Sequence, residues 1–131
     1  MNLKFHHIGV ACIKIERSIE IYKKLGYSSS EIIYDPVQNV NLCFLKKKDS
    51  PMIELVGCND TNSNLNNILK KNGTIPYHTC YETKNIKEQI NVLIKKGFIL
   101  MMKPVKAIAF SNRKICFMYN RNVGIIELLE Y

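Results

Sequence analysis

The sequence contains the same pattern twice. His7 opens the segment HIGVACIKIERSIEIYKKLGY, and His78 opens the segment HTCYETKNIKEQINVLIKKGF, in which histidine, apolar and glycine positions match at one constant offset. At a slightly larger offset, the Ile-Glu-Leu of residues 53–55 matches the Ile-Glu-Leu of residues 126–128. A repeat over nearly the whole chain indicates two copies of one supersecondary unit.

Each copy has the pattern of a strand, a helix and then further strands. In the first copy residues 4–13 alternate between two faces, and apolar residues then recur at helical spacing from Ile15 until Gly26, a typical helix stop. In the second copy the helix begins near Asn85, with Glu88 in a capping-box-like position, and Gly97 ends it. The remaining strands are predicted at about residues 30–34, 39–46, 52–57, 99–103, 114–119 and 124–130.

The pattern therefore predicts an α+β fold of two tandem βαβββ modules within one domain that spans residues 1–131. We place module 1 at about residues 1–58 and module 2 at about residues 76–131. Between them, residues 59–75 form a polar linker that contains a short helix. Two such units pair within one chain or by exchange between chains, so a homodimer is expected.

The net charge of +8 does not by itself predict nucleic-acid binding. The lysines occur mostly in short runs, two of them at predicted helix ends, where cations suit the helix dipole. No basic strand studded with aromatic residues and no recognition-helix motif accompanies them. The charge instead favours a small anionic substrate, and no nucleic-acid partner is expected.

The segment composition points to a cytoplasmic protein with reduced thiols. No apolar run reaches the about 18 residues needed to cross a bilayer, and the first residues form a strand pattern without a secretory apolar segment. The five cysteines are scattered, odd in number and without a CxxC pair. This usage is typical of buried, reduced thiols rather than a disulfide framework or a zinc cluster.

The repeated polar residues supply a set of metal ligands. Strand alternation places Glu54 and Glu127 on the sheet face opposite their apolar neighbours, and His7 and His78 are expected on the same face. Buried carboxylates and imidazoles are costly unless they are paired or ligating. The set His7, Glu54, His78 and Glu127 suits one divalent ion such as Zn, Ni, Co, Mn or Fe. The adjacent His6 has no repeat mate, and we interpret it as structural.

These residues also carry a family resemblance. The opening HHIGVACIKIERSIEIYKKLGY, the two Ile-Glu-Leu segments and His78 resemble the vicinal oxygen chelate (glyoxalase, bleomycin resistance, dioxygenase) superfamily over the full chain. The resemblance implies a cleft between curved mixed sheets. Within the superfamily the ligand order is similar to bacterial glyoxalase I (lactoylglutathione lyase), whereas residues 120–124 are closer to methylmalonyl-CoA epimerase, whose second ligand is typically Gln.

The expected chemistry is proton transfer by a lyase or isomerase. A metal with two open positions binds neighbouring substrate oxygens and stabilises an enediolate when the adjacent carbon loses its proton. Glu127 is the first choice for the base and Glu54 is its pseudo-symmetric partner. The substrate is expected to be a thioester or thiohemiacetal, and Arg113, with Asn112 and Lys114 beside it, is a candidate for binding its anionic end.

Two alternatives are compatible with the same fold. One is a non-catalytic protein that binds a small molecule such as an antibiotic, although such proteins commonly lack the metal ligands. The other is an extradiol-type dioxygenase, which needs two histidines and one carboxylate around Fe(II). Glu54 would then occupy a position that this chemistry needs open.

Overall fold

The computed structural model describes residues 2–58 and 64–131, and it confirms the α+β class. The first repeat contains β1 (Lys4–Cys12), α1 (Ile15–Lys24), β2 (Ser28–Ser29), β3 (Ile33–Asp35), β4 (Val40–Lys46) and β5 (Ile53–Cys58). The helix α2 (Asn64–Asn72) follows, as expected for the linker, of which residues 59–63 lie outside the described residues. The second repeat contains β6 (Ile75–Thr83), α3 (Ile86–Lys95), β7 (Ile99–Ala107), β8 (Arg113–Asn120) and β9 (Gly124–Glu130).

The chain forms two compact units. One consists of His7–Tyr77, and the other consists of the residues up to His6 together with His78–Tyr131. The first residues of β1 thus belong to the unit of the second repeat, where the Phe5 ring meets the Tyr81 ring edge-on at 5.9 Å between centroids. The modules predicted from the sequence follow chain order. In the structure, by contrast, the first residues of β1 belong to the unit of the second repeat, and the first residues of β6 belong to the unit of the first repeat.

In the unit of the first repeat, the strands run in the order β2-β4-β5-β1, with β3 also paired to β4. β1 and β5 are parallel, and the other pairs are antiparallel. The face that carries Val10, Cys43 and Leu55 forms a core with Ile15 of α1. This apolar face positions the opposite face of the same strands, on which the polar residues of the repeat lie.

The unit of the second repeat has the equivalent order β6-β9-β8-β7, again with one parallel pair, β6 and β9. The registers of the two repeats also agree. Ile8 lies opposite Ile53 in the first repeat, and Thr79 lies opposite Ile126 in the second. The repeat seen in the sequence is therefore a repeat of strand register, which sets the side-chain face at every matched position.

The strand expected at residues 30–34 was wrong in its bounds, because two short strands replace it. Ser30 interrupts them: its hydroxyl donates to the carbonyl oxygen of Glu31 and accepts from the Phe44 N–H at 2.9 Å. β7 in turn extends four residues beyond the strand predicted at 99–103, through Pro104, to Ala107. Pro104 is tolerated because β7 is an edge strand and its register is irregular between Met102 and Val105. At such a position the N–H that proline lacks is not needed for a hydrogen bond between strands.

The two repeat helices begin differently. The side chain of Asn85 caps α3 by accepting from the Glu88 N–H at 3.0 Å, whereas Lys14 precedes α1 without a side-chain cap. We expect Asn85→Ala to lower the free energy of unfolding by about 1 kcal/mol, because the first turn of α3 loses an acceptor. Urea denaturation of wild type and variant measures this difference. The matched substitution Lys14→Ala should leave the free energy nearly unchanged, and an equal loss in both variants would contradict the capping role.

Candidate metal centre

The first repeat contains a buried histidine and carboxylate pair. Ile53 and Leu55 are buried in the core beside α1, so strand alternation places Glu54 on the opposite face of β5. Glu54 lies across from Gly9 of β1, two residues after His7 on the same face. The two side chains meet with His7 Nε2 3.3 Å from Glu54 Oε1, and almost none of either side chain is exposed.

The second repeat contains the matching pair. Leu128 and Ile126 are buried in its core, which leaves Glu127 on the opposite face of β9. His78 Nε2 lies 3.4 Å from Glu127 Oε1, and both side chains are buried. The same two donor types therefore occur at the same positions of both units, with atom separations that differ by only 0.1 Å.

Each pair also contacts an aromatic ring, and neither ring was among the site residues predicted from the sequence. Phe44 lies opposite Glu54 in the register of β4 and β5, and its ring meets His7 at 6.4 Å and 72°. Phe117 lies opposite Glu127, and its ring meets His78 at 5.3 Å and 72°. These edge contacts restrict rotation of each imidazole. The signal was present in the sequence, since Phe44 and Phe117 are themselves repeat mates.

The donor chemistry of the pairs fits a divalent cation. Each unit offers an imidazole nitrogen and a carboxylate, and a neutral imidazole with ionised carboxylates is the form that binds Zn, Ni, Co, Mn or Fe. All four side chains are buried, so an ion would be largely screened from bulk water. A cation on these residues would also offset the cost of burying two carboxylates.

Of the residues expected to bind the anionic end of the substrate, Arg113 already forms hydrogen bonds within the protein. The Arg113 guanidinium donates through Nη2 to Glu82 Oε2 at 2.7 Å, and through Nε to the carbonyl oxygen of Glu130 at 2.6 Å. It thereby joins β8 to β6 and β9. Asn112 and Lys114 are exposed, and Asn112 has a left-handed backbone with φ of 64°. Their role in substrate binding stays a prediction.

Three of the buried cysteines do not add a thiolate to the donors. All five are free, and only Cys58 is not fully buried. Burial, with a smaller contribution from the Glu127 carboxylate, raises the pKa of the Cys116 thiol to about 12. Burial likewise raises the pKa of Cys12 and of Cys43. These three thiols stay protonated at neutral pH, and only the thiolate form is a good ligand or nucleophile.

A surface groove of about 560 Å³ lies along α3, and neither histidine and carboxylate pair lines it. Its walls include Thr83, Lys84, Asn85, Glu88 and Gln89. The histidine and carboxylate pairs lie elsewhere, on the face of the strands opposite the one that packs against the helices. Of the helices in the described part of the chain, none has the length and apolar character required to cross a membrane.

Comparison with known proteins identifies the family. The profile of the Glyoxalase/Bleomycin resistance protein/Dioxygenase superfamily matches residues 6–117. The chain belongs to this superfamily. A search of curated proteins gave no significant match. The family assignment agrees with the resemblance of the repeated His and Ile-Glu-Leu segments and with the two repeats of a strand, a helix and further strands.

Solved structures agree on the fold. Methylmalonyl-CoA epimerase from Mycobacterium tuberculosis is 22% identical, with a TM-score of 0.83 over 97% of this chain and 87% of that one. A hypothetical protein from Bacillus halodurans is 24% identical, with a TM-score of 0.86 over 100% and 96% of the two chains. A Streptomyces coelicolor methylmalonyl-CoA epimerase variant, in complex with 2-nitronate-propionyl-CoA, is 21% identical, with a TM-score of 0.83 over 98% and 95%. At these identities the likeness establishes the fold alone.

Proposed function

We propose that the protein is a metal-dependent isomerase or lyase that moves a proton on a carbon next to a carbonyl group. In this proposal His7, Glu54, His78 and Glu127 hold one divalent ion of the Zn, Ni, Co, Mn or Fe class. The observation that carries the proposal is the duplicated, buried pairing of His Nε2 with Glu Oε1 at 3.3 and 3.4 Å.

Several features of the pairs support metal binding over a purely structural role. A single buried histidine and carboxylate pair can persist as a hydrogen-bonded core pair. Here the pair occurs at matched positions of both repeats, and each time it lies on the face turned away from the helix. The Phe44 and Phe117 rings add a second matched element, which restricts each imidazole. Membership in the Glyoxalase/Bleomycin resistance protein/Dioxygenase superfamily supports the same proposal.

The bound ion would supply a Lewis acid that polarises the substrate carbonyl. The protein residues supply the proton transfer. Glu127 Oε1, as the ionised carboxylate, takes the proton from the carbon next to the carbonyl. Glu54, at the equivalent position of the first repeat, starts this step as the carboxylic acid and gives its proton to that carbon, so the two carboxyl groups exchange protonation states. Their burial excludes bulk water, which strengthens every charge interaction in the site.

Methylmalonyl-CoA epimerase chemistry is the specific form that we favour, with an acyl thioester as the substrate. Three observations support it: the epimerases among the similar folds, the complex of one of them with 2-nitronate-propionyl-CoA, and two equivalent carboxylates in this chain. Two carboxylates suit inversion at one carbon, because one can remove a proton while the other delivers one. The glyoxalase I reaction on a thiohemiacetal, which one carboxylate can perform, is the second candidate. The glutamate at the second ligand position, Glu54, favours this candidate, because the epimerases typically have Gln there.

Metal content per chain tests the proposal directly. We expect purified protein, after incubation with Ni, Zn, Co or Mn, to hold about one ion per chain, and His7→Ala/Glu127→Ala to hold none because both repeats then lose a donor. His6→Ala is the matched control, since it removes the neighbouring imidazole and should retain the ion. Elemental analysis gives the content, and circular dichroism establishes that each variant is folded.

A second measurement separates the proposal from its main alternative. If the wild-type protein is folded and holds none of these metals, the isomerase assignment is wrong. A non-catalytic small-molecule binding protein of the same superfamily is then the better account. If the ion is present, incubation of acyl thioesters and thiohemiacetals in heavy water, followed by mass spectrometry, reports which substrate class exchanges its proton.

A further inference from the structure

Lys46 ends β4 on the same sheet face as the first histidine and carboxylate pair. Phe44 lies opposite Glu54 in the strand register, and its ring contacts His7. Lys46 follows Phe44 by two residues, so strand alternation directs its side chain to that same face. Leu45, between Phe44 and Lys46, and Cys43, before Phe44, are core residues buried on the other face.

The ammonium group of Lys46 has no protein partner among residues 2–58 and 64–131. Its side chain is exposed. The hydrogen bond between Ser28 and Lys46 uses the backbone of Lys46, whose carbonyl oxygen accepts from Ser28 Oγ at 3.2 Å. The next lysine differs: Lys47 Nζ donates to the carbonyl oxygen of Leu25 at 2.8 Å and lies over the Tyr27 ring. Of Lys46 and Lys47, Lys46 is therefore the lysine that is available to a ligand on the Glu54 face.

The second repeat has no cation at the matched position. Tyr119 follows Phe117 by two residues on β8, as Lys46 follows Phe44 on β4, and it is 39% exposed. The two repeats are otherwise matched at the histidine, the glutamate and the phenylalanine. The difference between Lys46 and Tyr119 thus gives the first repeat a positive group that the second lacks.

The distance from Lys46 to the site suits a contact with substrate. Residues on diagonal positions of neighbouring strands, as Lys46 and Glu54 are, have side-chain origins about 7–8 Å apart. The four methylene groups of a lysine allow its ammonium to cover most of that span. A substrate whose reacting carbon lies at Glu54 could therefore place a nearby anionic group against Lys46.

We propose that Lys46 is a specificity-determining residue that binds an anionic group, such as a carboxylate, attached close to the reacting carbon of the substrate. This proposal rests on the proposed function, because it takes the Glu54 face as the substrate face. The affinity for the charged substrate, rather than the proton transfer, depends on Lys46.

Paired probes test the assignment. The probes are the N-acetylcysteamine monothioester of malonate and its uncharged methyl ester, titrated into metal-loaded protein by calorimetry. We expect Lys46→Gln to weaken binding of the charged probe about tenfold and of the methyl ester less than about twofold, because only the charged probe loses a charge-assisted hydrogen bond. Lys46→Arg should restore most of the affinity. Lys48→Gln, which removes an equal charge from the adjacent turn, should change neither.

The outcomes separate this assignment from the proposed function. Equal effects of Lys46→Gln on both probes, or no effect on either, would overturn the assignment of Lys46. Wild-type protein that binds neither probe would overturn the assignment of Lys46 and the acyl-thioester form of the proposed function. Selective loss in Lys46→Gln, together with malonate carbon-bound proton exchange in heavy water that the wild type does not accelerate above the spontaneous rate, would overturn the acyl-thioester form of the proposed function and retain Lys46 as an anion-binding residue.

Discussion

Replacement of Glu127 by glutamine should lower the rate of carbon-bound proton exchange by about 10²- to 10⁴-fold, the usual contribution of a positioned acid–base group. The amide has nearly the same volume as the carboxylate, so the packing of β9 is retained. It cannot accept a proton at neutral pH. The rate of deuterium incorporation from heavy water, at saturating metal and substrate, measures the effect. Mass spectrometry of the substrate gives this rate.

Glu54→Gln is the matched variant, because it makes the same change in the first repeat. If both carboxylates act, this variant should keep deuterium wash-in through Glu127 but lose inversion at the carbon. Metal content is measured for both variants, since the amide oxygen is a weaker ligand than a carboxylate. A Glu127→Gln protein that holds its ion and exchanges at the wild-type rate would contradict the role of Glu127 as base.

The repeat made the fold predictable, because it constrains more than local propensity does. A matched Ile-Glu-Leu segment fixes both the strand and the face of its glutamate, since any slip of one residue would bury Glu54 against α1. The prediction of β9 at residues 124–130 agreed with the structure at both ends. The helix stops at Gly26 and Gly97 were also confirmed, and both glycines have the positive φ that ends a helix.

The parts that the sequence did not predict depend on contacts between distant residues. The break between β2 and β3 depends on Ser30 binding Phe44, which is fourteen residues further along the chain. The partners of Arg113 are Glu82 and Glu130, which come from two other strands, and nothing local to residues 111–114 indicates them. Local patterns identify which residues carry chemistry, but they do not show which of those residues are already bound by the protein.

The candidate pairs show the same division. The histidine and glutamate of each repeat were identified from position alone, because charged residues between apolar strand neighbours need a buried partner or a ligand. The aromatic partners Phe44 and Phe117 were not, since a phenylalanine in a strand is most often an ordinary core residue. Only the cross-strand register places each ring opposite a glutamate and beside a histidine.

The largest loss of stability is expected from truncation of the core leucines that occupy matched positions in the two repeats. Leu55 and Leu128 are repeat mates with no exposed surface, and each lies opposite a buried cysteine of the neighbouring strand. Truncation of either to alanine removes buried methyl groups and leaves a cavity, which typically costs about 2–5 kcal/mol. Because a domain is stable by only about 5–15 kcal/mol, either variant should unfold at much lower temperature and denaturant concentration.

Equality of the two losses is the sharper part of this prediction. Leu55 and Leu128 occupy equivalent positions on β5 and β9, behind Glu54 and Glu127, so the cavities should be similar and the two free energies of unfolding should agree within about 1 kcal/mol. Urea denaturation of each variant measures them. Val123→Ala, at a side chain that is 61% exposed, is the control and should change stability by less than about 0.5 kcal/mol. A loss below 1 kcal/mol at Leu128 with a large loss at Leu55 would show that the second core relaxes around the cavity. The structural equivalence of the two repeats would then not extend to their energetics.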